Sequence, residues 1–281
     1  DDKPEVGDGG VLAVPFTPVA HPNSNTLASN VPTWNDNPTS GAIDGDETPK
    51  RGYSFDDGEV ISVSSNVTAN VGDGIIAATY EVTNDGYDTY IVGDGRLQIQ
   101  AESDVFKPVG IYVNNSEQET YYEVSGGTLD IVTKTQADIS TNAIWIDPTD
   151  DGGENIYFDV SNININMIGG YGNGIAITKS DGTSQSSNEC KIEIDGNVNI
   201  KGKAANGNVG WGIGANKLNA LGKENSSGIF VNVAKGNVKV HGKANMDVYG
   251  NGVTVDGSSA IVTIDKGGKI TVPKGTDYAY Y

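Results

Sequence analysis

Cysteine, basic residues and long apolar runs are all scarce in this chain. The 281 residues include one cysteine, Cys190, so no disulfide can form within the chain and no thiolate zinc site can be built. No run approaches the roughly 18 consecutive apolar residues that a membrane-spanning helix needs. Lysine and arginine number 18 against 37 aspartates and glutamates, a formal net charge of −19. This acidic field disfavours nucleic acid as a partner.

Residue types that carry catalysis are also few. The only arginines are Arg51 and Arg96, and the only histidines are His21 and His241. Polysaccharide lyases need clustered basic residues with calcium ligands, and hydrolases need carboxylates at matched positions. Neither cluster is evident, and the G-x-S-x-G and H-E-x-x-H segments of serine hydrolases and zinc proteases are missing. We therefore expect neither enzyme activity nor a cofactor.

Glycine and asparagine are abundant, with 38 and 28 residues, and both disfavour helix. Seven of the ten prolines lie in the first fifty residues, and proline lacks the N–H that a strand inside a sheet donates. From there on, short alternating apolar runs are separated by Gly, Asn and Asp, which is typical of strands and turns. We interpret residues 1–58 as an irregular lead or cap and residues 59–281 as a β-domain.

A repeated tetrad organises this domain: a small residue is followed by an aliphatic, a variable residue and usually another apolar residue. It occurs at 74–77, 110–113, 143–146, 174–177, 212–215 and 252–255. Two further alternating runs lie between successive tetrads. The first occurs at 90–92, 122–124, 158–160, 192–194, 231–233 and 262–264, and the second at 97–99, 129–131, 163–165, 198–200, 238–240 and 270–272.

Three short strands in each of about six repeats predict an all-β parallel β-helix. In this fold each strand pairs with its counterpart one coil away, about 4.8 Å along the axis. A β-propeller is disfavoured because three strands rather than four are visible per repeat, and a sandwich because the order of runs recurs with the coil. Asn162, Asn164 and Asn166 alternate with Ile163 and Ile165, so we expect the amides on the face opposite the aliphatics, stacked or turned outward.

Aromatic side chains offer one candidate binding site. Tyr112, Trp145 and Trp211 occupy the variable position of the tetrads or lie beside it, and alternation would turn them outward. A row of outward aromatics could stack on sugars or dock a protein. The alternative is ordinary packing of these rings against the lead or against loops.

An acidic loop offers a weak candidate for calcium. Its carboxylates are Asp147, Asp150, Asp151 and Glu154, which could gather three or four oxygens around the ion. The spacing differs from that of known calcium loops, so a solvated turn is the alternative. Apart from this loop, no metal site is expected.

Charge is distributed unevenly along the chain. Residues 1–189 carry 30 acidic and 7 basic residues, a balance of −23, whereas residues 190–281 carry 7 acidic and 11 basic residues, a balance of +4. In a stack of sequential coils this becomes an asymmetry along the axis. It could steer contacts between rods, or it could serve solubility alone.

The segments Gly196–Gly202 (GNVNIKG) and Gly236–Gly242 (GNVKVHG), together with the tetrads, resemble the passenger domains of bacterial autotransporters, the type V secreted proteins. The resemblance covers residues 60–281 and implies a right-handed parallel β-helix on the bacterial cell surface or secreted from it. It also implies membrane attachment only through a C-terminal translocator, which these residues do not include.

We therefore expect a non-enzymatic adhesin that mediates adhesion, autoaggregation or biofilm formation. Its partners would be identical passengers on neighbouring cells, or a host protein or glycan. Polar side chains along the rod favour self-association, because Asn, Ser and Thr supply many weak contacts that add up. The main alternative is a carbohydrate-active or carbohydrate-binding β-helix protein, and a passive stalk is a third.

Overall fold

The computed structural model describes residues 19–20, 33–34, 50–65, 88–104, 107–113, 120–137, 139–148, 154–179, 189–203, 227–247 and 251–271. This part of the chain is all-β and contains no helix. It accordingly has no helix with the length and apolar character required to cross a bilayer.

The strands, in chain order, are β1 (Val19–Ala20), β2 (Thr33–Trp34), β3 (Lys50–Ser54), β4 (Glu59–Ser65), β5 (Asp88–Val92), β6 (Arg96–Ser103), β7 (Val109–Val113), β8 (Thr120–Lys134), β9 (Ser140–Ile146), β10 (Glu154–Ile168), β11 (Tyr171–Ile177), β12 (Cys190–Ile194), β13 (Asn197–Lys203), β14 (Ser227–Val231), β15 (Gly236–Val240), β16 (Ala244–Asp247), β17 (Asn251–Val255), β18 (Ile261–Ile264) and β19 (Gly268–Thr271). Strands β1 and β2 form an antiparallel pair. All other pairs are parallel, within one 12-stranded and one 5-stranded sheet.

Parallel pairing links strands from successive repeats in three rows. The first row runs through β3, β5, the first half of β8, the first half of β10, β12, β15 and β18. The second row runs through β4, β6, the second halves of β8 and β10, β13, β16 and β19. The third row is the 5-stranded sheet of β7, β9, β11, β14 and β17.

The core lies where the inward side chains of the three rows meet. In the second row Ile99, Ile131, Ile165 and Ile200 follow one another in register, and each is at most 2% exposed. Burial of such a side chain contributes about 1.5–3 kcal/mol, so the stack gains stability with each repeat that is added. The period-two alternation of the sequence thus places its aliphatic residues inside, as predicted.

In the repeat after β13, the structure differs from the predicted tetrad. Its third-row strand is β14, which carries the segment Gly-Ile-Phe-Val at 228–231 and pairs with β11 and β17. That segment fits the tetrad pattern, and Val231, predicted to open the next first run, belongs to it. The tetrads predicted at 74–77 and 212–215 lie outside the described residues.

In the same repeat, the predicted second run belongs to the first row, and the second-row strand lies further along the chain. Val238 and Val240, predicted in the second run, lie in β15 and pair with β12 in the first row. The second-row strand is β16, in which Ala244 and Met246 are buried against the core. The sequence-based assignment was wrong here because Ala244 is a small, weakly apolar residue, so the stronger Val238 and Val240 alternation was taken for the second run.

Parallel pairing also begins earlier in the chain than the predicted boundary at residue 58. Strand β3 pairs with β5 from Lys50 to Ser54. In the lead before Lys50, only β1 and β2 are described.

Candidate functional site

The outer face of the second row carries a ladder of polar side chains. Asp130, Asn164, Asn199 and Asn245 occupy the same register position in β8, β10, β13 and β16. We call these four residues the amide ladder. Each amide nitrogen donates to the side-chain oxygen of the preceding member, at 2.9 Å to Asp130, 2.9 Å to Asn164 and 3.1 Å to Asn199. The expectation of stacked amides opposite the aliphatic residues is confirmed.

Further polar contacts extend this face. Arg96 Nε lies 2.9 Å from Asp130 Oδ2 and closes one end of the ladder with an ion pair. In the neighbouring register position, Asn197 Nδ2 donates to Asn162 Oδ1 at 3.4 Å, and Asn197 Oδ1 accepts the backbone N–H of Lys243 at 2.9 Å. The amides are therefore held in fixed orientations. Hydrogen-bonding groups repeat along the stack at the strand spacing of about 4.8 Å.

Two of the three aromatic candidates, Tyr112 and Trp145, lie on the outer side of the third row but are buried. Tyr112 and Trp145 are in register in β7 and β9 and are 2% and 3% exposed. With Val109 and Ala176 they form a small apolar cluster separate from the main core. Their ring centroids are 4.7 Å apart in an edge-to-face arrangement. Both side chains point away from the main core, as the alternation predicted. Their burial favours ordinary packing over a surface on which a ligand could stack.

The polar atoms of the two rings are engaged within the protein. Tyr112 donates its hydroxyl to Asp147 Oδ2 at 2.7 Å, and Trp145 donates Nε1–H to the backbone oxygen of Thr178 at 2.8 Å. The ammonium of Lys107 lies 5.8 Å from the centroid of the Trp145 ring, at the outer limit of a cation–π contact. The third candidate, Trp211, lies outside the described residues. Binding by these aromatics stays a prediction.

One of the calcium candidates, Asp147, contacts the aromatic pair. Asp147 is 3% exposed and follows β9, where it accepts the Tyr112 hydroxyl. Asp150 and Asp151 lie outside the described residues, and Glu154 begins β10, with its side chain also outside the description. Among the residues that are described, no group of three or more His, Cys, Asp or Glu side chains could hold a metal ion. Calcium binding by this loop stays a prediction.

A charged cluster that the sequence interpretation missed surrounds His241. The residue follows β15, and its imidazole lies between two carboxylates: Nε2 is 2.7 Å from Glu193 Oε1, and Nδ1 is 2.9 Å from Asp265 Oδ2. Lys191 Nζ is 3.0 Å from the other oxygen of Glu193. We call His241, Glu193 and Asp265 the histidine clamp. The sequence alone does not bring these residues together, because the two acids lie 48 residues before and 24 residues after His241.

The clamp shifts the pKa values of two of its groups. The hydrogen bond to Glu193 is the main cause that raises the pKa of His241 above its ordinary 6.5, with a further contribution from Asp265. Partial burial opposes ionisation of Glu193. The hydrogen bonds from His241 and Lys191 outweigh it and lower the pKa of the Glu193 carboxyl below its ordinary 4.5.

Buried asparagines at the entry to the third row were also missed. Asn142 and Asn173 are in register in β9 and β11 and are 4% and 6% exposed. Asn173 Nδ2 donates to Asn142 Oδ1 at 3.1 Å, and Asn173 Oδ1 accepts the backbone N–H of Ser227 at 2.9 Å. These bonds connect three successive repeats. Their role is structural, because a buried N–H without a partner would destabilise the fold.

No protein-family description, curated protein or solved structure matches this chain.

Proposed function

We propose that the chain forms a right-handed parallel β-helix of about six coils and acts as the passenger domain of an autotransporter-like bacterial surface adhesin. Two findings support the fold: parallel pairing links each strand with its counterpart in the next repeat, and the same three rows recur from β5 to β17. The resemblance of the GNVNIKG and GNVKVHG segments to passenger domains supports the handedness and the location on the cell surface or in the medium.

The observation that carries the adhesive role is the amide ladder. It presents amides and a carboxylate in fixed orientations, beside the exposed side chains of Asn166, Lys201 and Asp247 on the same face. A second rod with the same periodicity would meet this face at every repeat. Each contact is weak, since an exposed ion pair contributes about 0–1 kcal/mol, but the contacts add along the rod.

Self-association of identical passengers is therefore the preferred form of adhesion, and a host protein or glycan is the other possible partner. The axial charge difference between residues 1–189 and 190–281 supports self-association, because opposite charges on two rods attract when the rods lie antiparallel. The burial of Tyr112 and Trp145 gives less support to a carbohydrate-active or carbohydrate-binding protein.

Sedimentation velocity over a concentration series at low and high salt tests the proposal. We expect reversible association that weakens with salt, and the same protein displayed on cells should make them clump. Lys201→Glu should weaken association about fivefold, the equivalent of roughly 1 kcal/mol, because it reverses an exposed positive charge on the face that would meet the acidic part of an antiparallel partner. Lys235→Glu is the matched control, since it makes the same charge change at an exposed turn before β15.

Two results would contradict the adhesive role, and a third would contradict only the choice of interface. The protein would be a passive stalk if it stays monomeric at all concentrations, leaves cells that display it dispersed and binds nothing on protein or glycan arrays. Cleavage of a polysaccharide by the monomer would instead favour the carbohydrate alternative. Equal effects of the two lysine variants would show that net charge, rather than the amide ladder face, governs association.

A further inference from the structure

The geometry of the histidine clamp constrains the protonation of His241. Both ring nitrogens lie within hydrogen-bond distance of a carboxylate oxygen, and an ionised carboxylate can only accept. A neutral imidazole has one N–H donor, so its second nitrogen would direct a lone pair at a carboxylate. Only the imidazolium ion, with two N–H donors, satisfies both contacts. With both carboxylates ionised, the arrangement of atoms therefore favours the charged form.

The clamp joins three successive repeats at the C-terminal part of the described stack. Glu193 lies in β12, His241 follows β15, and Asp265 follows β18. Strand β18 pairs with β15 only, among the strands described, and its residue Ile261 is 54% exposed. A strand with one described neighbour and side chains that are at most partly buried opens more easily than a strand inside the stack. An ion pair at the end of β18 therefore contributes more to the order of this strand than the same ion pair would contribute to a strand inside the stack.

We propose that His241 is a proton-dependent latch: as the imidazolium it ties β18 to β15 and β12, and on losing its proton it releases β18. The latch makes the order of β18 depend on pH. This inference does not rest on the proposed adhesive function.

Other charged and titratable groups lie on the segments that carry the latch. The set comprises Lys191 in β12, Asp195 after β12 with Tyr157 of β10 bonded to it, Lys239 in β15, Lys243 before β16, and Lys266 after β18. The ammonium of Lys239 opposes the charge on the ring, whereas Lys191 is paired with Glu193. The two direct carboxylate contacts have the larger effect, so the imidazolium is stabilised.

The latch weakens as the pH rises. The pKa of His241 is raised in the folded state, so the latch contributes fully below the ordinary pKa of 6.5. Its contribution is lost as the pH rises through the higher folded-state pKa. At low pH the hydrogen-exchange protection of β18 is increased about tenfold for each pH unit by which the pKa of His241 in the folded protein exceeds its pKa in the unfolded protein.

Two measurements test the latch. The first is an NMR titration of the imidazole of His241, in protein in which His21→Gln removes the only other imidazole signal. The second is hydrogen exchange of the amides of Ile261–Ile264 from pH 5 to 9, compared at each pH between the parent and His241→Gln. The comparison cancels the intrinsic effect of pH on exchange. Glutamine can bridge the same site but does not titrate.

We expect a pKa for His241 above 6.5 and a parent whose β18 protection falls with rising pH, relative to the variant. Asp265→Asn should lower the pKa of His241 by removing one of the two carboxylates, and it keeps the measurement informative if His241→Gln folds poorly. A pKa at or below 6.5, or parallel exchange profiles in parent and variant, would overturn the proposal.

Discussion

Tyr112 donates its hydroxyl proton to Asp147 Oδ2 over 2.7 Å, and both residues are buried. Two positions that the sequence assigned to different sites, an aromatic surface and a calcium loop, thus belong to one structural unit. The backbone N–H of Asp147 also donates to the oxygen of Val113 at 2.8 Å, so the carboxylate is fixed against β7. The unit ties the end of β9 to the preceding strand of the third row.

Tyr112→Phe should therefore lower the free energy of unfolding by about 1–3 kcal/mol, because it leaves a buried carboxylate oxygen without this donor. Urea unfolding measures the change. Asp147→Asn is the conservative comparison, since an amide oxygen still accepts the hydroxyl, and it should cost less. A Tyr112→Phe variant as stable as the parent would show that this bond makes no net contribution.

Asn173→Ala should destabilise the protein by about 2–3 kcal/mol. The substitution leaves the buried Ser227 N–H without its acceptor, which is costly, and removes one of two donors to Asn142 Oδ1, which keeps the backbone N–H of residue 173. Asn166→Ala is the matched control, because Asn166 is exposed on the outer face of β10. Its stability should stay within about 0.5 kcal/mol of the parent. Equal thermal midpoints for the two variants would contradict the prediction.

Gly196→Ala tests the close approach of successive turns. A Cβ at Gly196 would lie 1.8 Å from the backbone oxygen of Val160, so the turn after β12 must move. Gly58→Ala separates this effect from backbone strain, since Gly58 has a φ of +83° but open space around it. We expect about 1–2 kcal/mol of destabilisation for Gly58→Ala and a larger loss for Gly196→Ala. The opposite order in denaturant unfolding would refute the close-packing argument.

Asn164→Asp tests the amide ladder. The change removes the donor to Asp130 and places two carboxylates at neighbouring positions in register, so we expect a loss of about 1–2 kcal/mol at neutral pH. Asn166→Asp makes the same change opposite Lys201 and should be neutral or slightly stabilising. Thermal unfolding of the pair gives the comparison. If both variants are destabilised equally, the ladder bonds are not the cause.

Acid should weaken the histidine clamp by protonating Glu193. The pKa of Glu193 is lowered in the folded protein, so its contribution is complete above the ordinary 4.5 and is lost as the pH falls through the lower folded value. We expect Glu193→Gln to reduce the fall of the thermal midpoint between pH 5 and 3. Parent and variant curves that run parallel over this range would exclude such a contribution.

The sequence predicted the parts of the structure that depend on local alternation. The inward column of Ile99, Ile131, Ile165 and Ile200 follows from period-two spacing, as do the outward amides. The assignment failed where a weakly apolar strand, β16, followed a stronger one. The histidine clamp and the Asn142–Asn173 pair could not be predicted, because their partners meet only when turn lengths fix which residues of successive repeats lie in register.

Strands β8 and β10 are each 15 residues long and run without interruption through the first two rows. They pair from Glu154 with Thr120 to Ile168 with Lys134, more extensively than the shorter strands on either side. Closing the loop of about 34 residues between them has an entropic cost similar to that of other neighbouring repeats, and the longer ladder gains more contacts for it. We therefore expect folding to nucleate at β8 and β10 and to spread towards both ends of the stack.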